Sequence, residues 1–233
     1  MSHNLFAKMS LLVLTVGAIA TSNLINACSS TSAQNQALPI PSATNSGSMP
    51  GMDHSNMGDM SHSSMAMDLG PADAEFDLRF VDAMTPHHQG AVVMAKEALQ
   101  KSKRSEIKQL AASIIKAQDK ELNQMKQWRQ AWYPKANAAP IAYNSKMGHS
   151  MPMSPDQKSG MMMSMDLGAA DANFDKRFLE GMIPHHEGAL VMGKDALGKS
   201  KRPEIQKLAR NILSSQAAEI KQMQQWKQAW YPQ

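Results

Sequence analysis

The side chains of this sequence that could do chemistry include the histidines of two copies of a Pro-His-His motif. Met84 precedes His87 and His88 by three and four positions. On a helix, residues at this spacing lie one turn apart, so one thioether and one imidazole can reach the same ion. The adjacent histidines point about 100° apart and are not expected to share an ion. The corresponding residues of the second copy are Met182, His185 and His186.

Two further methionines follow the motifs on the same predicted helices. Met94 lies about two turns, roughly 10 Å, beyond His87, so it belongs to another metal site or to the core. Met192 has the same position in the second copy. The alternative for any one of these histidines is a hydrogen-bonded core residue. Met125 and Met223 lie on the inner faces of later helices, where packing is the more expected role.

Each motif is preceded by a polar stretch that is rich in methionine. The chain has 21 methionines, and these two stretches show no apolar periodicity that would place them in a core. A thioether is a soft sulfur ligand that favours Cu(I), and Ag(I) should follow by the same reasoning. We therefore predict a Cu(I) cargo, with Ag(I) as a surrogate. The candidate ligands are Met52, His54, Met57, Met60, His62 and Met65 in the first stretch, and Met147, His149, Met151, Met153, Met161, Met162 and Met163 in the second.

Polar side chains on the second helix of each copy could orient the imidazoles by accepting their hydrogen bonds. These residues are Gln118 and Glu121, with Gln216 and Glu219 in the second copy. The sequence has no Glu-x-x-His motif of di-iron bundles, no nucleophile elbow and no Gly-rich phosphate loop. We therefore expect a protein that is not an enzyme; a copper oxidase is the weaker alternative.

The N-terminus has the pattern of an export signal. A positive Lys8 precedes a short apolar run, and Ala27 is followed by Cys28, the only cysteine. Residues 1–27 are therefore predicted to be a signal peptide, of the lipoprotein type if Cys28 is lipidated, and plain cleavage is the alternative. We expect a location in the periplasm or cell envelope. The formal net charge of +4 is spread along the chain, which argues against nucleic-acid binding.

The chain contains an internal duplication. Residues 67–134 return as residues 165–232 with roughly three positions in five identical, so each residue corresponds to the one 98 positions later. Each repeat predicts a helical hairpin, with its second helix from about Ser105 to Trp132 in the first copy. Gly70 and Pro71 are typical of the N-terminus of the preceding helix.

Two such hairpins bury their apolar stripes by packing into one antiparallel four-helix bundle, so the predicted fold class is all-α. The expected organisation comprises a disordered Met/His-rich segment (28–66), the first hairpin (67–134), a disordered Met-rich linker (135–164) and the second hairpin (165–233).

The duplicated motif resembles a known family. FDLRFVDAMTPHHQGAVVMAKEAL with QDKELNQMKQW, and FDKRFLEGMIPHHEGALVMGKDAL with QAAEIKQMQQW, are similar to the CopM-type proteins. These belong to a bacterial four-helix-bundle family long catalogued as a domain of unknown function. The resemblance covers about residues 67–232 and implies a periplasmic copper-binding role in copper resistance. It also implies that the Met-His-His residues of both motifs are ligands.

The expected function is therefore an exported Cu(I)/Ag(I)-binding protein that sequesters copper or hands it on. The expected partners are copper ions, and another periplasmic copper protein or an exporter. The expected membrane contact is a lipid anchor. The alternative is a helical lipoprotein that binds a protein partner and no metal.

Overall fold

The structure is a computed structural model that describes residues 68–232. Four long helices make up most of this part of the chain. They are α1 (Phe76–Lys101), α2 (Ser105–Trp132), α4 (Phe174–Lys199) and α5 (Pro203–Trp230). Between α2 and α4 lie strands β1 (Ile141–Asn144) and β2 (His149–Pro152) and the short helix α3 (Pro155–Met162). The predicted signal peptide with Cys28, and the first methionine-rich segment with its six candidate ligands, lie outside the described residues.

The four long helices form the predicted bundle of two hairpins. Helix α1 packs along α2, α4 packs along α5, and the hairpins meet through α1 and α4. The first core cluster joins the N-terminal half of α1 to the C-terminal half of α4, and the second does the reverse, so α1 and α4 run antiparallel. This confirms the all-α fold class. No helix of the described residues is long and apolar enough to span a bilayer.

The turn inside each hairpin is held by the other hairpin. The guanidinium carbon of Arg104 lies 4.1 Å from the ring centroid of Trp230, and that of Arg202 lies 4.3 Å from Trp132. Arg202 also forms an ion pair of 3.2 Å with Asp77 on α1. These reciprocal contacts fix the ends of the bundle and thereby the register of its middle.

Helix α1 begins at Phe76, so the prediction that it begins near Gly70 and Pro71 is wrong. The side chain of Asp73 accepts a hydrogen bond from the backbone N–H of Glu75, which favours a turn over a helix. Arg79 donates to the carbonyl oxygens of Leu69 and Pro71 at 2.6 and 2.7 Å, and this holds the preceding chain across the helix end.

The linker is ordered, and the prediction that it is disordered is wrong. Ser154 and Gln157 form a capping box at the start of α3, which is a helix signal in the sequence. Strands β1 and β2 pair antiparallel, with Asn144 opposite His149. The backbone N–H of Ile141 donates to the buried carboxylate of Asp82 at 2.9 Å, which ties the linker to α1. Helix α3 and strand β1 both pack on α1.

This packing uses two linker methionines that were expected to be free of the core. Met153 and Met161 belong to the first core cluster and are 9% and 4% exposed. Met147, in contrast, is 60% exposed at the hairpin turn. The linker methionines therefore divide into packed and solvent-facing residues.

Removing a packed linker methionine should destabilise the fold. We expect Met161→Ala to lower the free energy of unfolding by about 2–3 kcal/mol, since truncating a buried methionine loses contacts and leaves a cavity. Met147→Ala, the matched control, should change it by less than about 0.5 kcal/mol. Urea unfolding followed by circular dichroism measures both values. Equal unfolding midpoints would show that the linker does not contribute to the core.

Candidate metal centre

The four motif histidines are buried together in the middle of the bundle. His87 and His88 lie on α1 between its contributions to the two core clusters, and His185 and His186 do so on α4. Each of the four is at most 1% exposed. The ring centroids of His87 and His185 are 3.9 Å apart with their planes tilted by 47°. Antiparallel packing thus brings the same motif position of the two repeats into direct contact.

The second histidine of each motif is held by a glutamate from the neighbouring helix. His88 Nε2 donates to Glu121 Oε2 at 2.7 Å, and His186 Nε2 donates to Glu219 Oε2 at the same distance. A carboxylate oxygen only accepts, so each Nε2 carries the proton. Both Nδ1 atoms are buried without a hydrogen-bond partner, and in the neutral ring each of them keeps a lone pair. Glu121 and Glu219, two of the four residues predicted as candidates to orient the imidazoles, thus contact the rings.

The first histidines of the motifs are not equivalent. His185 Nε2 donates to the carbonyl oxygen of Met162 at 3.2 Å, whereas both ring nitrogens of His87 are buried without a partner. The Met162 carbonyl lies against Gly90, where it occupies the space that a Cβ atom would need. The linker thus contacts one imidazole of the pair and leaves the other free.

The glutamines, which the sequence suggested could orient the rings, form no hydrogen bond with them. Gln118 and Gln216 are buried, but their Oε1 atoms accept no hydrogen bond. Since the four Nδ1 atoms also have no partner, no glutamine amide pairs with them. The glutamates lie one turn further along α2 and α5 and contact the rings instead.

Burial keeps the central imidazoles neutral. Desolvation, together with the neighbouring His185, lowers the pKa of His87 well below its usual 6.5. Desolvation and the nearby His186 lower the pKa of His185 to about 3. A neutral imidazole is the form that binds metal ions, so these rings remain available as ligands below neutral pH.

Four predicted ligand methionines on the long helices are buried near this layer. Met84 and Met192 belong to the first core cluster, and Met94 and Met182 belong to the second. The sulfur of Met94 approaches Gly181 on α4, as does the sulfur of Met165, which precedes α4. Sequence reasoning did not select Met165. Met125 and Met223 are fully buried within the core clusters, as their predicted packing role requires.

The linker candidates occupy three different environments. Met147, His149 and Met151 are exposed on the β1–β2 hairpin, and His149 Nδ1 lies 3.1 Å from the Met147 carbonyl oxygen. Met153 and Met161 pack in the core, while Met162 and Met163 are half-buried at the end of α3 beside the histidines. The exposed hairpin residues therefore remain candidate ligands of a surface site.

Among residues 68–232, no three His, Cys, Asp or Glu side chains are arranged to hold a metal ion. The central layer instead offers five unpartnered imidazole nitrogens, flanked by methionines. A mixed nitrogen and thioether donor set is suited to a soft ion such as Cu(I). The Met-His spacing was readable from the sequence. The His87–His185 contact was not, because it depends on how the hairpins dock.

The buried histidines should make the metal-free protein less stable in acid. The unfolded chain takes up protons below about pH 6.5, whereas His87 and His185 in the folded protein have lowered pKa values. The folded protein therefore has its full free energy of unfolding above pH 6.5, where these two histidines are neutral in both the folded and the unfolded state. Below it, stability falls by about 1.4 kcal/mol per pH unit for each histidine until the folded pKa is reached.

The slope is measurable by urea unfolding between pH 7.5 and 5. The His87→Leu/His185→Leu variant is the control, because leucine does not titrate, and its slope should be shallower by up to about 2.7 kcal/mol per pH unit. Identical slopes for the two proteins would mean that these histidines are not held neutral in the fold.

Comparisons with known proteins agree with this architecture. The family described as "Domain of unknown function (DUF305)" matches residues 23–129 and 77–227. The solved structure of CopM in the Cu(I)-bound form is 41% identical, with a TM-score of 0.52 over 66% of this chain and 97% of that chain. CopM in the apo form gives 40% identity and the same TM-score over 66% and 98%.

A shorter match links the chain to an uncharacterised protein of Acanthamoeba polyphaga mimivirus. The two are 47% identical over 49 residues, which is 21% of this chain and 32% of that protein. The chain therefore spans about a third of the length of this curated relative. The match of the family over most of the chain, together with the two CopM structures, identifies the duplicated bundle: the protein belongs to the DUF305 family and is of the CopM type.

Proposed function

We propose that this protein binds Cu(I), with Ag(I) as a surrogate, and sequesters copper or hands it on in copper resistance or homeostasis. The observation that carries the proposal is the buried layer of four imidazoles with five unpartnered nitrogens. A buried polar atom without a partner costs free energy, and a ligand bound at this cluster would recover part of that free energy. The similar CopM structures, described as Cu(I)-, Cu(II)- and Ag-bound, support a metal as that ligand.

The donor chemistry favours a soft, singly charged ion. Met84 and Met182 lie one helical turn from the imidazoles and are fully buried. Moving a charge into an apolar interior is costly, and the cost is smaller for a monovalent ion than for a divalent one. Glu121 and Glu219 increase the basicity of the ligating rings through their hydrogen bonds and are partly exposed to solvent.

The cellular setting of this proposal rests on the sequence. A signal peptide ending before Cys28 would export the chain and anchor it in the cell envelope through a lipid on that cysteine. In an oxidising compartment, thioethers have the advantage that they do not form disulfides. The partners that fit are a second periplasmic copper protein or a copper exporter. No catalytic step is part of the proposal.

A protein-binding module without metal is the second candidate, and one surface favours it. A groove of about 780 Å³ lies between α2 and α5, and its lining includes Trp128, three lysines and two glutamates, namely Lys116, Lys120, Lys207, Glu121 and Glu204. A groove with an aromatic side chain and charges of both signs suits a protein segment of complementary charge pattern. This candidate requires no ion, so metal binding separates the two functions.

Anaerobic titration with Cu(I), followed by native mass spectrometry, tests the proposed function. The wild-type chain should retain Cu(I) against a competing chelator. A variant with leucine at His87 and His185 and glutamine at His88 and His186 should lose the bundle-bound ions while keeping its helical circular dichroism. Wild-type protein that retains no ion would support the metal-free module. Equal retention by the folded variant would assign the copper to methionines outside the bundle centre.

A further inference from the structure

The linker places one methionine in an unusual backbone conformation beside the histidine layer. Met163 is the C-cap of α3 and has φ 43°, the only positive φ of a non-glycine residue within residues 68–232. A left-handed conformation is unfavourable for a residue with a side chain, and such residues concentrate at functional sites. The sulfur of Met163 lies 3.6 Å from the position that a Cβ atom on Gly188 would occupy.

The same point on Gly188 is approached by His87. Its Nε2 lies 3.2 Å from that Cβ position, so this nitrogen and the Met163 sulfur are within about 7 Å of each other. His87 is the motif histidine whose two ring nitrogens both lack a partner. An ion bound at about 2.0–2.3 Å from each donor needs the donors roughly 4 Å apart. Rotation about the three torsions of the flexible Met163 side chain can cover the difference.

The duplication does not reproduce this arrangement in the second repeat. Gly90 is the counterpart of Gly188, and the carbonyl oxygen of Met162 fills the space beside it. That carbonyl also accepts the hydrogen bond from His185, the counterpart of His87. The two central histidines therefore differ. His87 lies near the Met163 thioether, whereas His185 is hydrogen-bonded to the Met162 carbonyl oxygen.

We propose that Met163 and His87 together bind one Cu(I) or Ag(I) ion beside Gly188, at a site shared by the linker and both hairpins. This inference rests on the proposed function and adds a ligand pair that does not follow the Met-His-His motif. The site exists once per chain because Met162 closes the equivalent position. Metal binding there fixes the linker against α1 and α4, so it should protect the linker from proteolysis.

A double-mutant cycle tests the pair. Met163→Leu conserves volume, and His87→Leu replaces an unpartnered buried ring with an apolar side chain, so both variants should fold. Each substitution should lower the affinity for the same Ag(I) ion by at least about tenfold in chelator competition, because each removes a ligand. The double variant should bind Ag(I) with no lower affinity than the single variant that binds it more weakly. The matched control, Met147→Leu combined with His87→Leu, should show independent effects.

Two further measurements sharpen the test. Gly188→Ala should lower the affinity for the same ion, because the added Cβ atom would crowd both donors. Gly198→Ala should leave this affinity unchanged, because Gly198 has open space around it. Ag(I) should slow protease cleavage of the linker in wild type but not in Met163→Leu. Wild type that binds no ion would overturn the proposed function itself. Two other outcomes would overturn only this inference, provided that wild type binds ions. One is an unchanged affinity of the Met163→Leu variant, and the other is additivity of the two substitutions in the double variant.

Discussion

The contact between His87 and His185 at the centre of the bundle constrains the rest of the structure. Two imidazoles whose centroids are 3.9 Å apart cannot both be charged in a buried site, and their nitrogens are largely without partners. The free energy lost by burying them must be offset by the two core clusters on either side and by the Arg–Trp contacts at the bundle ends. The apolar layers thus hold in place a polar layer that would not be stable alone.

The duplication is symmetric in sequence and asymmetric in use. Leu78 and Asp82 on α1 are buried, and their counterparts Lys176 and Glu180 on α4 are more exposed. Asp82 binds both Arg129 and the linker backbone, whereas Glu180 forms a partly exposed ion pair with Lys227. The linker therefore docks on the first hairpin, and it brings the Met162 carbonyl oxygen to His185 and the Met163 sulfur close to the Cβ position of Gly188 that His87 also approaches. One gene duplication has in this way produced two chemically distinct halves.

Much of the fold could be predicted from the sequence because its signals are local. The periodic apolar residues and the repeat predicted both ends of α2, Ser105 and Trp132, as the structure has them. The start of α1 was misplaced because Asp73 and Arg79 stabilise a turn through side-chain contacts that periodicity does not show. The capping box of Ser154 and Gln157 was a readable signal for α3 that the methionine content obscured. The histidine pair and the docking of the linker depend on contacts between distant residues, which a single sequence does not reveal.

The central claim is that the buried histidine layer, with nearby thioethers, is where a soft metal ion binds. A crystal structure of the Cu(I)-loaded protein, with anomalous scattering recorded at the copper edge, tests it most directly. The account predicts anomalous peaks between α1 and α4, within bonding distance of motif imidazole nitrogens and at least one methionine sulfur. Peaks confined to the exposed β1–β2 hairpin or to the N-terminal methionine-rich segment, with the imidazole nitrogens still unpartnered, would contradict it.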